Sequence, residues 1–568
     1  MTTSEGPRCL LLSDFTIGGL VPFLEAADER PALRCAVGPA GPVQRVLLDE
    51  SDACWRAQPE VAVVWTRPQA VAPAFGRLLE FEPVEPAQVL AEVDQFAALL
   101  RRAAARVAAL FVPSWTRPGP DRGLGLLDLS VRVGPAYHLL RMNARLVEAT
   151  ADVPNLHVLD AGRWLALAGP QACSPKLWHL GKIAFGPEVC RLAAADLKAG
   201  LRGLAGRARK LVVLDLDDTL WGGVVGEVGW EHLALGGHHP AGEAFRAFQR
   251  ALLALTRRGV ILGIVSKNTE AVALEALDRH PEMVLRRADF AGWRINWADK
   301  VENLQALAAE LQIGLDAVVF LDDHPAERAR VRAALPEVLV PEWPADPRLY
   351  EQALRALACF DTPTLSAEDR ARARTYAAER RRRDLRQAAQ SVADYLRALE
   401  LRVTGAALGP EDLPRAAQLL NKTNQMNLAT RRLTETQLGD WARHPAHRVS
   451  VFRVSDRFDD YGLTGLATLA LDGGGTAHLA DFVLSCRVLG RGVEETMLHA
   501  VAAQARALGG QQLVATYRPS ARNAPCRSFF EEHSGLVPRR RAEALEFAWD
   551  LRRPYPAPAH VTFQGCGA

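Results

Sequence analysis

Residues 210–223 read KLVVLDLDDTLWGG, and this stretch decides the fold. The apolar run LVVL is followed at once by two carboxylates, Asp215 and Asp217. A short, continuously apolar run is typical of a strand buried in a parallel sheet. In an open α/β sheet, ligands bind beyond the carboxyl ends of the strands. The stretch therefore predicts a parallel α/β domain with two carboxylates at its binding edge.

The spacing of the two carboxylates allows a division of labour in phosphoryl transfer. Asp215 can attack a phosphorus atom and become an aspartyl phosphate. Asp217 can protonate the leaving group and later activate a water molecule. Thr219 and the glycines that follow permit a tight turn beside the phosphate. We therefore predict that Asp215 is the nucleophile and that Asp217 is the general acid.

Three further elements follow in the order that this chemistry needs. VILGIVSKN ends a predicted strand in Ser266, whose hydroxyl can hold a phosphoryl oxygen. NWADKVENL opens a predicted helix with Lys300, a cation that can neutralise the transition state. VVFLDDHPAER ends a predicted strand in two more carboxylates, which are hard oxygen ligands suited to Mg²⁺. The expected metal ligands are the acidic residues of these loops: Asp215, Asp217, Asp322 and Asp323.

A single Asp-x-Asp after a strand is often only a polar loop, but four such elements in order indicate a site. Over roughly residues 207–345 the chain resembles the haloacid-dehalogenase (HAD) superfamily of Mg²⁺-dependent phosphatases. This resemblance implies a Rossmann-like parallel sheet for the central domain.

Further motifs narrow the resemblance to the FkbH-like family. The similar stretches span most of residues 207–536: LDLDDTLWGGVVGEVG, SKN, INWADK, FLDDHPAER, NKTNQMNLATRR, DRFDDYGLTG, LSCRVLGRGVEETML and YRPSARNAPCRSFFEEHSGL. His324 and Met426 stand where the family pattern has Asn and Phe. Neither departure removes a catalytic group.

The family resemblance implies a substrate and a partner. Members prepare glyceryl-carrier proteins for polyketide synthases. The implied substrate is 1,3-bisphosphoglycerate or a related acyl phosphate, and the implied partner is an acyl carrier protein with a phosphopantetheine arm. The expected activity is a HAD phosphatase coupled to transfer of a glyceryl group to the pantetheine thiol. Motif spacing by itself predicts only the phosphoryl chemistry.

A second motif lies near the end of the chain, where CRVLGRG at 486–492 contains Arg-x-x-Gly-x-Gly. A glycine turn at a helix N-terminus aims backbone N–H groups at a pyrophosphate. The arrangement is similar to the acyl-coenzyme-A loop of the GNAT acyltransferases, and it implies a site for a pantetheine arm formed by Arg487, Gly490, Arg491, Gly492 and Asn523. Alternatively, the two glycines only turn the chain. Phe530 lies where many acetyltransferases have an acidic Tyr, which argues against ordinary amine acetylation.

Cys486 stands just before this glycine turn. An isolated cysteine is usually a buried structural residue. A helix N-terminus and two nearby arginines, Arg487 and Arg491, would instead favour its thiolate. We therefore predict that Cys486 is the acyl acceptor. His499 and His533 are both candidates for its general base, and the sequence does not choose between them.

The N-terminal stretches LLSDFTIGGL, RMNARL and KLWHLGK lie in an order similar to the blocks of the SGNH hydrolases. The counterparts of the catalytic residues would be Ser13, Asn143 and His179. The Gly-Asp-Ser of that family is absent, and no Asp-x-x-His pair precedes the final helix. We expect a degenerate SGNH-hydrolase-like domain with a docking or scaffold role.

The alternation of apolar runs and amphipathic stretches predicts the α/β class throughout, with three α/β domains of which the last is GNAT-like. The stretch from Ser366 to about Ala398 is expected to form one long amphipathic helix, and its RRRR run is a solvated face flanked by acids. The prolines after Leu551 predict a poorly ordered tail. The predicted boundaries are 1–205 (SGNH-like), 206–362 (HAD-like), 363–398 (helical linker), 399–552 (GNAT-like) and 553–568 (tail).

Composition narrows the location and the partners. Lys plus Arg number 68 and Asp plus Glu 66, so the balance gives no footprint for nucleic acid or a membrane surface. We find no signal peptide and no apolar run of bilayer length. The nine cysteines are scattered, as is typical of reduced thiols in a cytoplasmic protein.

An alternative function remains open at this point. The chain could be a small-molecule HAD phosphatase that also carries an acyl-CoA-dependent N-acyltransferase domain. The sequence does not identify the acyl group, the carrier protein, the order of the two reactions or the oligomeric state.

Overall fold

The computed structural model describes residues 6–27, 30–39, 41, 43–117, 122–237, 239–365, 367–520, 522–541 and 544–565. The chain folds into two compact units. The first comprises Met1–Val260, Ile264–Val284 and Arg294–Arg370, and the second comprises Ile261–Gly263, Leu285–Trp293 and Ala371–Ala568. Three β-sheets, each accompanied by helices, confirm the predicted α/β class.

The first sheet has five parallel strands in the order β2-β1-β3-β4-β5. Its strands are β1 (Arg8–Ser13), β2 (Arg34–Val37), β3 (Val61–Trp65), β4 (Ala109–Pro113) and β5 (Leu156–Leu159). The helices between and after them are α1 (Val21–Glu25), α2 (Val43–Leu48), α3 (Ala53–Arg56), α4 (Pro68–Val71), α5 (Pro73–Leu79), α6 (Pro86–Ala104), α7 (Pro135–Thr150), α8 (Ala161–Ala168), α9 (Pro175–Gly181) and α10 (Pro187–Leu204).

Both faces of this sheet are buried, which explains its continuously apolar strands. Along β1, Leu10 and Leu12 belong to the core on one face, whereas Cys9 and Leu11 belong to the core on the other. Successive side chains of a strand point to opposite faces, so a strand covered on both sides needs apolar residues at every position.

The second sheet has the order β8-β7-β6-β9 and carries the motifs from which the sequence analysis began. Its strands are β6 (Leu211–Leu214), β7 (Ile261–Ser266), β8 (Phe290–Ile295) and β9 (Val318–Leu321). Its helices are α11 (Val225–Val228), α12 (Pro240–Arg257), α13 (Glu270–Arg279), α14 (Lys300–Glu310), α15 (Pro325–Ala334) and α16 (Tyr350–Arg355). All residues of β6, β7 and β9 are buried, as their apolar sequences predict.

The third sheet is mixed and has the order β16-β17-β15-β14-β13-β12-β10-β18, with β11 paired to β14. Its strands are β10 (Leu401–Ala407), β11 (Met426–Asn427), β12 (His447–Ser455), β13 (Asp460–Leu471), β14 (Thr476–Leu484), β15 (Gln512–Tyr517), β16 (Val537–Arg541), β17 (Ala544–Asp550) and β18 (Val561–Gly565). Its helices are α17 (Ala367–Ala388), α18 (Val392–Ala398), α19 (Leu413–Lys422), α20 (Glu435–Arg443), α21 (Val493–Ala507) and α22 (Ala524–Ser528).

The strands β14 and β15 pair in parallel only over the first part of β14, from Thr476 to Leu479. Beyond that point β11 takes the place beside β14, with Met426 opposite Leu484 and Asn427 opposite Val483. The next residue, Leu428, donates to Phe482 O and accepts from Arg518 N, so this segment bridges the two strands. The wedge where β14 and β15 separate is therefore filled by the chain itself.

Two expectations about the second unit are wrong. The region before the third sheet is not one long helix, because α17 ends at Ala388 and Ser391 caps a separate α18; Ser366 lies outside the described residues. The tail is not poorly ordered over residues 553–565, because β18 pairs in parallel with β10 and Tyr555 is buried. Backbone pairing holds this proline-rich segment, and its composition carries no signal of that pairing. Residues 566–568 lie outside the described residues.

Candidate active site

The predicted phosphoryl-transfer residues come together at one edge of the second sheet. Asp215 follows β6, Ser266 ends β7, and Asp322 follows β9. Lys300 is the first residue of α14, where the Asp299 side chain accepts a hydrogen bond from Val301 N and caps the helix. Because β6 lies between β7 and β9, these three strand ends converge as the sequence predicts.

The ammonium group of Lys300 lies between two carboxylates. Its Nζ is 3.1 Å from Asp215 Oδ2 and 2.6 Å from Asp322 Oδ2. Burial alone would lower the pKa of Lys300, but the charges of Asp215 and Asp322 outweigh it and raise that pKa. Lys300 is therefore a permanent cation in a buried site, as stabilisation of phosphoryl negative charge requires.

Three carboxylates form a cluster that fits a hard divalent cation. Asp215, Asp322 and Asp323 each offer one oxygen, and these oxygens lie within 4.8 Å of one another. The buried Asp215 Oδ1 has no hydrogen-bond partner among the described residues. Burial, followed by the charge of Asp215, raises the pKa of Asp322 to about 6. An all-oxygen set with an unsatisfied, buried carboxylate oxygen is the chemistry that Mg²⁺ selects, so these residues fit the predicted cofactor.

Asp217 does not join this cluster, which corrects the prediction that its carboxylate is a metal ligand. Asp217 Oδ1 accepts hydrogen bonds from Trp221 Nε1 (2.9 Å) and Val225 N (3.1 Å). Asp217 Oδ2 accepts one from Asn268 Nδ2 at 2.9 Å. Burial raises the pKa of Asp217, and the hydrogen bonds partly offset this rise. A fixed carboxyl group with a raised pKa suits the predicted role of general acid.

Two partners of Asp217 were missed by the sequence analysis. Asn268 is buried and stands in the SKN motif, two residues after Ser266, and Trp221 is buried within the opening LDLDDTLWGG motif. Their presence inside the quoted motifs was the only available signal, because nothing in their spacing pairs them with Asp217.

The loops that carry the acids are themselves held in place. Asp218 adopts a left-handed backbone with φ of 53°, and its Oδ1 accepts from Gly223 N at 2.8 Å. Thr219 Oγ1 donates to Asp323 Oδ1 and accepts from Asp323 N, both at 3.0 Å. Arg328 donates to the backbone oxygens of Asp322 and Asp323. These bonds fix the acids before any ligand arrives, which is the preorganisation that electrostatic catalysis needs.

Cys486 lies in the second unit, and its position differs from the expectation. It is exposed and begins a short 3₁₀ turn, Cys486–Val488, whereas α21 begins only at Val493. The expectation of a cysteine at the helix N-terminus is therefore wrong, because the glycine turn separates the two. The assumption that an isolated cysteine is buried does not apply to Cys486 either.

The side chains predicted to bind the pantetheine arm already have protein partners. Arg491 donates to the Tyr461 hydroxyl and lies near Asp456 and Glu379, at 3.8 and 3.6 Å. Arg487 Nε donates to Ser485 Oγ at 3.4 Å. The backbone at Gly490 and Gly492 is left-handed, and a Cβ at Gly492 would lie 2.6 Å from His560 Nε2. The turn therefore requires glycine.

Asn523 and Phe530 occupy structural positions. Asn523 is buried, donates to Asn427 O and Arg518 O, and accepts from the Tyr517 hydroxyl. It thereby ties β11 to the end of β15. Phe530 is buried against Phe482 and Phe547.

The two histidines left open as general bases differ in exposure. His499 Nδ1 lies 2.7 Å from Tyr555 O, and its ring contacts Phe563 edge-on. His533 has 65% of its side chain exposed. Neither contact joins a histidine to Cys486.

The N-terminal candidates do not form a triad. Ser13 Oγ accepts from Phe15 N, and both polar atoms of the Asn143 amide bond to the backbone of Trp115. His179 is exposed on α9. Among the residues that the structure describes, no hydrogen bond joins Ser13 to Asn143 or His179.

One solved structure resembles a large part of the chain. It is the N-terminal part of the protein BF1531 from Bacteroides fragilis, containing a phosphatase domain and complexed with Mg. It is 26% identical, and the match covers 63% of this chain and 95% of that one with a TM-score of 0.58. This likeness agrees with the carboxylate cluster, and the chain has the fold of a HAD-like phosphatase domain.

Weaker likenesses involve acetyltransferases. A putative acetyltransferase of the GNAT family from Desulfovibrio desulfuricans is 17% identical, covering 26% of this chain and 99% of that one with a TM-score of 0.21. The ribosomal-protein-S18-alanine N-acetyltransferase from Escherichia coli is 15% identical, covering 28% and 97% with the same TM-score. No protein-family model and no curated protein matches the chain. Within the described residues, we find no helix with the length and apolar character of a bilayer span.

Proposed function

We propose that this chain is a Mg²⁺-dependent phosphatase coupled to acyl transfer. It would remove phosphate from 1,3-bisphosphoglycerate and transfer the glyceryl group to the phosphopantetheine thiol of an acyl carrier protein. The observation that carries the phosphoryl half is the buried Lys300 ammonium between Asp215 and Asp322. The acyl half is supported by the motif resemblance and by the exposure of Cys486.

The phosphoryl half begins with attack by an Asp215 oxygen on the phosphate monoester. The ester P–O bond breaks, and Asp217 donates its proton to the departing alcohol oxygen. Asp217 then accepts a proton from the water that attacks the aspartyl phosphate, which releases inorganic phosphate and restores Asp215. Lys300 balances the negative charge on the transferred group throughout.

Asp215, Asp322 and Asp323 would hold the metal ion. When bound, Mg²⁺ supplies positive charge that allows an anionic substrate to approach three carboxylates.

The acyl half uses the activated carboxyl group of the same substrate. The Cys486 thiolate attacks the acyl phosphate carbonyl, the C–O bond to phosphate breaks, and a thioester forms as inorganic phosphate leaves. The carrier's pantetheine thiol then attacks this thioester, and Cys486 leaves as a thiolate. The second step exchanges one thioester for another, so it needs no further activation.

Mass spectrometry of the intact proteins tests both halves. The chain is incubated with 1,3-bisphosphoglycerate, with and without a pantetheinylated carrier protein, and released phosphate is measured alongside. We expect a glyceryl adduct on Cys486 without the carrier and on the pantetheine arm with it. Phosphate release with no acylated protein would leave only a phosphatase. Acylation of an amine by acyl-coenzyme A would support the N-acyltransferase alternative.

A further inference from the structure

A cavity of about 770 Å³ lies at the start of α21. Apolar side chains form much of its wall, including Leu489, Phe529 and Trp549. The glycine turn contributes Gly490 and Gly492, and the first turn of α21 contributes two acids, Glu494 and Glu495. This cavity is large enough for a small organic ligand, and its wall combines apolar surface with negative charge.

Glu494 is the most unusual member of the wall. Only 5% of it is exposed, and its Oε2 is buried without a hydrogen-bond partner among the described residues. The buried Oε2 of Glu495 has no such partner either. Leaving a buried carboxylate oxygen unsatisfied costs on the order of 1–3 kcal/mol. A ligand that donates a hydrogen bond to Glu494 would remove this cost.

The same residue changes what the glycine turn can bind. Gly490 N donates to Glu494 Oε1 at 2.7 Å, so this backbone N–H is not available to a phosphate. An incoming pyrophosphate would also face two carboxylates at the helix start, where an open anion site would present N–H groups. The Arg491 guanidinium is held by Tyr461 and two acids. The turn is therefore satisfied by an anion of its own.

We propose that this cavity binds a neutral, hydrogen-bond-donating arm and disfavours phosphate groups, with Glu494 as the acceptor that sets this preference. The inference rests on the proposed function in one respect, since it takes the arm to be the amide and thiol portion of the carrier's phosphopantetheine. Pantetheine has amide, hydroxyl and thiol donors for Glu494 and aliphatic segments for the apolar wall. Coenzyme A has the same arm and adds phosphates, so it would lose affinity at this turn.

A purely structural role for Glu494 explains less of the geometry. Acidic residues in the first turn stabilise a helix through its dipole, and the bond to Gly490 is of this kind. That role needs one oxygen near the surface. It does not account for a second oxygen that is buried and directed at a cavity with no partner. Burial also raises the pKa of Glu494 to about 7, which an exposed first-turn acid would not experience.

Direct binding to the full chain tests the proposal without any turnover. Calorimetric titrations compare three probes: pantetheine, coenzyme A and the diamine putrescine. We expect pantetheine to bind and coenzyme A to bind no more tightly. Glu494→Gln should weaken pantetheine about tenfold, because a charge-assisted bond is lost. Glu435→Gln, an exposed first-turn acid of α20, is the matched control and should leave binding unchanged.

Several results would overturn the proposal. Coenzyme A bound at least about tenfold more tightly than pantetheine would show a phosphate-binding turn, and tighter binding of putrescine would show a cation site. No pantetheine binding at millimolar concentration would show that the arm does not enter. The comparison in the wild-type chain holds even if the Glu494 variant fails to fold. Because no reaction is measured, failure here is separate from failure of the phosphatase or acyl-transfer assays.

Discussion

Asn268 Nδ2 donates a hydrogen bond to Asp217 Oδ2 across 2.9 Å, joining residues that are 51 positions apart in the chain. Asn268 follows β7 and Asp217 follows β6, so the bond links the ends of two adjacent strands. Together with Trp221 and Val225 N, it holds the carboxyl group in one orientation. Asn268 is therefore a positioning residue for the proposed general acid.

Asn268→Ala should slow phosphate release in a way that depends on the leaving group. An alkyl phosphate needs the acid to protonate its departing oxygen, so we expect a loss of about 10- to 100-fold in kcat. p-Nitrophenyl phosphate has a good leaving group and should lose much less in its first step. Lys267→Ala, next in sequence but exposed and paired with Glu327, is the control. Equal losses on both substrates would assign Asn268 a general structural role.

Asp215→Asn should abolish phosphate release while the fold persists. An amide is a poor nucleophile and a poor Mg²⁺ ligand, so we expect a loss on the order of 10³-fold or more. Removing one charge beside Lys300 and Asp322 should not unfold the chain, which circular dichroism checks. Release near the wild-type rate from the folded variant would remove Asp215 from its role.

Chelation should stop phosphate release, and added Mg²⁺ should restore it. Without a cation, the anionic substrate meets the uncompensated charge of Asp215, Asp322 and Asp323. Ca²⁺ should restore little activity because it favours a larger, more flexible coordination shell. Full turnover in excess chelator would contradict the assignment of the carboxylate cluster.

Cys486→Ala should block acylation of the carrier protein and leave phosphate release from a small ester unchanged. Because Cys486 is exposed, the substitution should change the free energy of unfolding by less than about 0.5 kcal/mol. A lost transfer activity would then reflect chemistry and not instability. Cys526→Ala is the contrasting case, since Cys526 is buried and its loss should lower the melting temperature. Wild-type acylation rates in the folded Cys486 variant would exclude the thioester intermediate.

Glu494→Gln should flatten the dependence of stability on pH. Burial raises the pKa of Glu494 from its ordinary value near 4.5 to about 7, with Glu495 adding to the rise and Gly490 N and His533 opposing it. Folding therefore favours the protonated acid, and this contribution is full below about pH 4.5 and lost as the pH rises through 7. We expect the variant to match the wild type near pH 4 and to exceed it in melting temperature at pH 8. Parallel curves for the two proteins would show that Glu494 does not titrate in this way.

The sequence predicted the positions of the catalytic acids well, and the reason is geometric. Parallel strands present their carboxyl ends at one edge, so residues that follow each apolar run must converge. Asp215, Ser266 and Asp322 could therefore be placed together without coordinates. The Asn268 partnership could not, because it depends on side-chain direction at a loop and not on the period of a strand.

The second unit was harder to predict. The strand β11 has two residues, Met426 and Asn427, too few for any periodic pattern, and it is held by hydrogen bonds from distant segments. The prolines that suggested a loose tail are followed by β18, whose pairing with β10 is a tertiary effect. The glycine turn was predicted to bind an anion, but a turn does not reveal that a following glutamate folds back to fill it.

The pairing of β18 with β10 also bears on how the polypeptide is made. β10 spans Leu401–Ala407, and its outer partner, Val561–Gly565, is synthesised long after it. Until that partner emerges from the ribosome, one row of β10 amide and carbonyl groups faces solvent as an open edge. Open edges recruit other chains, and incomplete products are prone to aggregate. Production of the protein should therefore be sensitive to ribosome stalling or truncation before residue 561, even though every proposed catalytic residue lies upstream.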